Sequence, residues 1–206
     1  MRSVILGLSS AILLMGPAVA DPTDQPGHRS PSADSKSETV SAAEDNVGHW
    51  LGTVSAEMTT TSQGFVTAAA VSDMYEVEAG KIAAQRATSP AIRDFANQMV
   101  AAHTQTSSEL KGILMRNNLH ITPPAHLDDR RQGMIDNLRG ASTADFDHRY
   151  LVQQEAAHRE AVILMRGYAH DGANPAVKRF AAETLPKVEQ HLAMVRKLEQ
   201  TETAAR

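Results

Sequence analysis

The protein is a chain of 206 residues without cysteine, which excludes disulfide bonds, iron–sulfur clusters, thiolate zinc sites and an acylated lipoprotein anchor. Aromatic residues make up 4% of the chain, which disfavours an all-β fold because strands are rich in aromatic side chains. The formal net charge of −4 disfavours a nucleic-acid-binding protein, since such proteins present excess positive charge to phosphates.

The first 20 residues have the pattern of a cleavable signal peptide. Arg2 precedes a short apolar stretch from Val4 to Met15, and the segment Ala18-Val19-Ala20 is typical of a cleavage site. This stretch is too short to span a bilayer, and no later stretch approaches about 20 apolar residues. We therefore expect cleavage after Ala20, a periplasmic or secreted protein, and no transmembrane segment in the mature chain.

Residues 21–62 are predicted to form a disordered acidic leader. The segment is rich in serine, proline, aspartate and threonine, and it has too few large apolar groups to offset the entropy lost on ordering. It contains seven acidic and two basic side chains, whereas residues 63–206 contain equal numbers of each. The net negative charge of the chain therefore belongs to the leader.

Residues 63–202 show the spacing of amphipathic helices, with apolar or small side chains at every third or fourth position. The pattern predicts long helices that begin near Gln63, at Pro90, at Ser142 or Thr143, and at Pro175, and a short connecting helix over 126–139. Pro186 lies inside the last long helix and is expected to bend it or loosen one turn.

An internal repeat relates the two halves of this region. The segment SPAIRDFA at 89–96 matches NPAVKRFA at 174–181, and each copy combines an N-cap residue with a proline at the first helical position. The longer connection over 119–141 is compatible with the crossover of a ferritin-like bundle. We therefore predict an all-α fold, a ferritin-like four-helix bundle built from two related helical hairpins.

One titratable side chain lies at or beside the apolar stripe of each long helix, in the order Glu76, His103, His158 and His191. Counted from the caps at Ser89 and Asn174, the two members of each hairpin are level, and the hairpins differ by about 4.5 Å. Three imidazoles and a carboxylate suit one divalent transition metal, with Zn, Cu, Ni and Fe as candidates. Glu155, about one turn before His158, is a candidate fifth ligand or an acceptor for a ligand's N–H.

The same side chains are also compatible with a metal-free core. Glu76 would then pair with a histidine in a hydrogen-bonded network, and the protein would be a structural or interaction module whose leader recruits an unknown protein partner. A di-iron oxidase is disfavoured, because that site needs Glu-x-x-His on two helices and only Glu155-x-x-His158 is present. A metal-dependent redox enzyme or hydrolase would require an open coordination position beside a cleft. The sequence alone identifies no reaction.

Several motifs together resemble a known bacterial family. They are MYEVEAGKIA around Glu76, SPAIRDFANQMVAAH, FDHRY at 146–150 followed by His158, and LPKVEQH at 185–191. Over about Phe65 to Leu198 the chain resembles domain-of-unknown-function family 4142, whose members are often labelled predicted outer-membrane proteins. The resemblance implies an exported ferritin-like bundle without an established activity. The family pattern usually has an acid just before the second-helix histidine, where this chain has Ala102.

Overall fold

The computed structural model describes residues 60–204, so the predicted signal peptide and nearly all of the predicted leader lie outside the described residues. Within this range the chain is all-helical, with five helices and no strand. The helices are α1 (Ser62–Arg86), α2 (Pro90–Arg116), α3 (Asp129–Gly140), α4 (Phe146–Asp171) and α5 (Pro175–Ala204). The all-α prediction is confirmed for these residues.

The four long helices contact one another in a ring. Helix α1 packs along α2, and α4 packs along α5, which are the two pairs that the internal repeat predicts. Helix α1 also contacts α4, and α2 also contacts α5, so each long helix has two long neighbours. None of the helices within residues 60–204 combines the length and apolarity that a membrane span requires.

Two apolar clusters fill the ring, one toward each end. The first includes Phe95 and Tyr150, and the second includes Phe65 and Phe180. Each fully buried side chain of this size contributes about 1.5–3 kcal/mol to stability. Along every long helix, the change from one cluster to the other occurs near a buried polar residue, so a polar layer separates the clusters.

The ends of the helices confirm one predicted cap and revise another. The side-chain oxygen of Asn174 accepts hydrogen bonds from two backbone N–H groups at the start of α5, so this residue caps the helix as predicted. Ser89 occupies the N-cap position of α2 without a side-chain capping bond. Instead, the carboxylate of Asp147 on α4 accepts from the backbone N–H groups of Thr88 and Ser89, and it thereby ties the start of α2 to α4.

Helix α4 begins later than the sequence predicts. Its first helical residue is Phe146 rather than Ser142 or Thr143. The reason is a turn over 142–145, in which the hydroxyl of Ser142 donates to the carboxylate of Asp145 and accepts from its backbone N–H. Such local side-chain bonds compete with helical hydrogen bonds and delay the start of the helix.

Helix α3 also begins later, at Asp129 rather than at His126, because the preceding aspartate caps it. The guanidinium of Arg131 on α3 is buried and donates to Glu160 on α4 at 2.7 Å. This ion pair holds the short helix against the long ones.

Helix α5 runs without a break through Pro186.

Candidate metal site

Three histidines from three helices meet in the polar layer. His103 on α2, His158 on α4 and His191 on α5 are 3%, 1% and 8% exposed, respectively. Each offers one ring nitrogen, and the three nitrogens lie within 4.8 Å of one another. The ring centroids are separated by 5.7, 5.6 and 5.4 Å. The structure therefore brings together the three histidines that the sequence places at similar heights, and we call them the three-histidine cluster.

His158 is buried although it lies one position away from the best apolar stripe of its helix. Helix α4 contacts α1, α3 and α5, so a wide part of its circumference is covered by neighbours. Consecutive positions such as Ala157 and His158, and Glu160, Ala161 and Val162, are all buried as a result. An apolar stripe read from sequence underestimates the buried face of such a helix.

Hydrogen bonds orient two of the rings. Nδ1 of His103 lies 2.8 Å from Oδ1 of Asp73, and Nδ1 of His158 lies 2.9 Å from the backbone oxygen of Gln154. A carboxylate and a carbonyl accept hydrogen bonds, so each Nδ1 donates and each Nε2 carries the lone pair of the neutral ring. This is the tautomer in which Nε2 can bind a metal.

Each imidazole of the cluster keeps one nitrogen without a hydrogen bond. Nε2 of His103, Nε2 of His158 and Nδ1 of His191 are buried and have no hydrogen-bond partner among residues 60–204. Buried polar atoms in proteins almost always find a partner, and each exception needs an explanation. The three rings are neighbours, so a single shared cation is one partner that could satisfy all three nitrogens.

Burial keeps two of the three rings neutral at neutral pH. Burial, followed by the charge of His103, lowers the pKa of His158 to about 3. Burial, followed by the charges of the other two histidines, lowers the pKa of His191 to about 4. Neutral imidazole is the metal-binding form, so both rings are available as ligands.

The pKa of His103 is shifted in the opposite direction. Burial alone would lower this pKa, but the hydrogen bond to Asp73 and the charges of Glu76 and Asp73 outweigh the burial effect and raise it. A metal ion must therefore compete with a proton at this ring.

Asp73 is a site residue that the sequence analysis missed. It is 4% exposed, and its second carboxylate oxygen accepts from the hydroxyl of Ser107 at 3.1 Å. A carboxylate bonded to the back of a metal-binding imidazole fixes the ring and increases its basicity. The available signal was its position three residues before Glu76, which places both acids on one face of α1.

Glu76 lies in the same polar layer, but behind the ring of His158. Its carboxylate accepts from Nε2 of Gln154 at 2.7 Å, and its other oxygen lies 3.9 Å from Nδ1 of His158. That nitrogen is the one already bonded to a carbonyl, so this contact does not involve the unpartnered Nε2 of His158. Burial raises the pKa of Glu76, against the opposing effects of His103 and Gln154. Direct ligation by Glu76 stays a prediction.

Glu155 is not brought together with the three-histidine cluster. Its carboxylate accepts from Nε of Arg196 on α5 at 3.1 Å, and its side chain is 29% exposed. The spacing of three residues between Glu155 and His158 therefore does not bring the carboxylate to the cluster, because its partner is Arg196 at the surface.

The family model described as Domain of unknown function (DUF4142) matches residues 52–198, and it confirms the resemblance that the sequence motifs indicate. No curated protein and no solved structure matches the chain.

Proposed function

Because the chain belongs to the DUF4142 family, whose function is unknown, we propose a function from the three-histidine cluster itself. The protein binds one divalent transition metal ion through His103, His158 and His191. The observation that carries this proposal is the convergence of three buried imidazoles. Each has one ring nitrogen within 4.8 Å of the others, and each has a buried ring nitrogen without a hydrogen-bond partner among the described residues.

The donor set determines the class of metal. Imidazole nitrogens suit Zn, Cu, Ni and Fe, whereas Mg and Ca prefer oxygen ligands. Around zinc, nitrogens at about 2.1 Å in tetrahedral geometry are about 3.4 Å apart. The nitrogens of the cluster would therefore approach one another by on the order of 1 Å on binding, which is within the reach of small side-chain rotations.

A metal-free polar core is the alternative, and two hydrogen bonds favour it. The pairs Asp73–His103 and Gln154–Glu76 satisfy part of the polar layer without any ion. A core maintained for hydrogen bonding alone, however, would be expected to satisfy both nitrogens of each ring. The unpartnered nitrogens therefore favour the metal-binding proposal.

The proposal includes a fold and a compartment. The ring of four long helices and the longer connection between the two pairs support a ferritin-like four-helix bundle, and the A-x-A pattern before Asp21 supports export. Cell fractionation and N-terminal sequencing test the export: a mature chain that begins at Asp21 is expected outside the cytoplasm. A cytoplasmic chain that retains residues 1–20 would contradict it.

The metal proposal is tested by calorimetric titration of the metal-stripped mature protein with Zn(II). We expect one equivalent to bind in the wild type and the binding to be lost in His103→Gln, His158→Gln and His191→Gln. His148→Gln is the matched control, because His148 lies on α4 but is exposed. Circular dichroism at 222 nm verifies that each variant is folded.

Two results would contradict the proposal. One is the absence of stoichiometric binding in the wild type with every divalent transition metal tried. The other is binding of unchanged affinity in the three variants, since that would place the ion elsewhere on the chain.

A further inference from the structure

A cavity lies directly beside the three-histidine cluster, among α1, α2, α4 and α5. Its volume is about 180 Å³, and His103, His191 and Asp73 are among the residues that line it. This volume is larger than one water molecule needs and smaller than the roughly 300–1,000 Å³ of pockets that hold drug-sized ligands. The cavity therefore fits a molecule of a few heavy atoms.

The walls of the cavity combine apolar side chains, hydroxyl groups and one cation. Leu164 and Val188 contribute apolar surface, and the buried residue Thr184 contributes a hydroxyl. The charged residues that line it are Asp73 and Lys187.

The two charged residues differ in how far they are already paired. Both carboxylate oxygens of Asp73 accept hydrogen bonds, one from His103 and one from Ser107. Among residues 60–204, Lys187 forms a long, half-exposed ion pair with Glu109, at 3.7 Å. Of the two charged residues in the wall, Lys187 is therefore the one that is available to a ligand. Its positive charge favours anions.

We propose that this cavity admits a small anion, which occupies the open coordination position of a metal held by the three-histidine cluster. The inference rests on the proposed function. Three protein ligands leave a fourth position of a tetrahedral site free, as in zinc sites that exchange a ligand. Three neutral imidazole ligands bring no negative charge to the metal, and the nearby carboxylates of Asp73 and Glu76 are already engaged in hydrogen bonds. An anion of three or four heavy atoms fits within the cavity and would bring negative charge to the metal.

A purely structural metal site would have no open coordination position. Structural zinc sites are closed by four protein ligands. Here the cavity reaches two of the proposed ligand residues, because His103 and His191 form part of its wall.

The test uses azide as the probe and Co(II) as a metal whose visible absorption reports its coordination. The full mature chain is loaded with Co(II) and titrated with sodium azide. We expect a saturable change in the visible spectrum. In Lys187→Gln the affinity for azide should fall by about two- to five-fold, the size expected for one partly exposed charge pair. Lys197→Gln, on an exposed position of the same helix, should leave it unchanged.

A second pair of variants tests the path of entry. Ala102 lines the cavity, whereas the neighbouring Ala101 is exposed on the same helix. Ala102→Leu should suppress the azide response while Co(II) still binds, and Ala101→Leu should preserve it.

The outcomes separate this inference from the function on which it rests. Co(II) binding without an azide response overturns the inference and leaves the proposed function intact. Absence of Co(II) binding overturns the inference, and it overturns the proposed function as well if the other divalent transition metals also fail to bind. Equal azide affinities in both lysine variants, or equal responses in both alanine variants, would place the azide outside the cavity and also overturn the inference. The lysine pair decides the question if Ala102→Leu does not fold.

Discussion

Asp73 on α1 and His103 on α2 form a hydrogen bond of 2.8 Å between two side chains that are almost completely buried. The bond uses Nδ1 of the ring and leaves Nε2 without a partner among the described residues. It also connects the two helices of the first hairpin inside the polar layer. One carboxylate thus sets both the tautomer of a candidate ligand and the position of its ring.

Replacing Asp73 by asparagine should weaken metal binding without removing a ligand. Loss of a charged partner behind a metal-binding histidine typically costs about 10–100-fold in affinity. Competition with a chelator of known affinity measures the change in Asp73→Asn. Asp94→Asn, on an exposed position of α2, is the control and should bind like the wild type. An affinity of Asp73→Asn within two-fold of the wild type would show that the carboxylate does not support the site.

Glu155→Gln should leave metal affinity unchanged, because the carboxylate is engaged with Arg196 at the surface. The same chelator competition measures it, with Asp73→Asn as the variant that must respond. A ten-fold loss of metal affinity in Glu155→Gln would indicate that Glu155 is a metal ligand, and it would require α4 to rotate when the metal binds.

The metal-free protein should become less stable in acid because of His158. Its pKa is about 3 in the folded state, below its ordinary value of 6.5, so the unfolded chain binds a proton more readily below pH 6.5. This contribution to stability is complete above pH 6.5 and is lost as the pH falls toward 3. When the pH is lowered from 7 to 5.5, the free energy of unfolding of the wild type should fall by about 1 kcal/mol more than that of His158→Gln.

Urea unfolding of both proteins at the two pH values, with a chelator present, measures this difference. The exposed His148 supplies the control, and His148→Gln should follow the wild type at both values. A difference in the free energy of unfolding between the wild type and His158→Gln that does not change with pH would contradict the assignment of a neutral, buried His158.

Breaking the buried ion pair between Arg131 and Glu160 should reduce the stability of the protein far more than breaking an ion pair at the surface. Glu160→Gln removes the carboxylate that Arg131 shares with Arg130, and loss of the partner of a buried guanidinium typically costs about 3–5 kcal/mol. Glu189→Gln breaks an exposed pair with Arg166 of the same 2.7 Å length and should cost less than about 1 kcal/mol. Chemical unfolding measures both, and equal small effects would show that this pair does not hold α3 in place.

The three histidines could be predicted from sequence because helical rise is regular. The caps at Ser89 and Asn174 give the two hairpins a common origin, and residues counted from that origin fall at defined heights. The caps lie where the sequence places them, even though Ser89 does not cap through its side chain.

The direction in which a side chain points around its helix axis is harder to predict from the sequence than its height along the helix. The separation along α4 predicts Glu155 as a fifth ligand or as an acceptor for a ligand's N–H, yet its carboxylate pairs with Arg196. Asp73 was missed because the apolar stripe of α1 passes beside it. The cavity depends on how four helices pack, and no sequence pattern encodes that directly.

A crystal of the mature protein grown with zinc, with data collected on both sides of the zinc absorption edge, tests the central claim most directly. We predict one anomalous peak per chain, about 2.0–2.3 Å from a ring nitrogen of each of His103, His158 and His191. A crystal in which zinc is bound elsewhere, while the three rings remain without an ion between them, would contradict it.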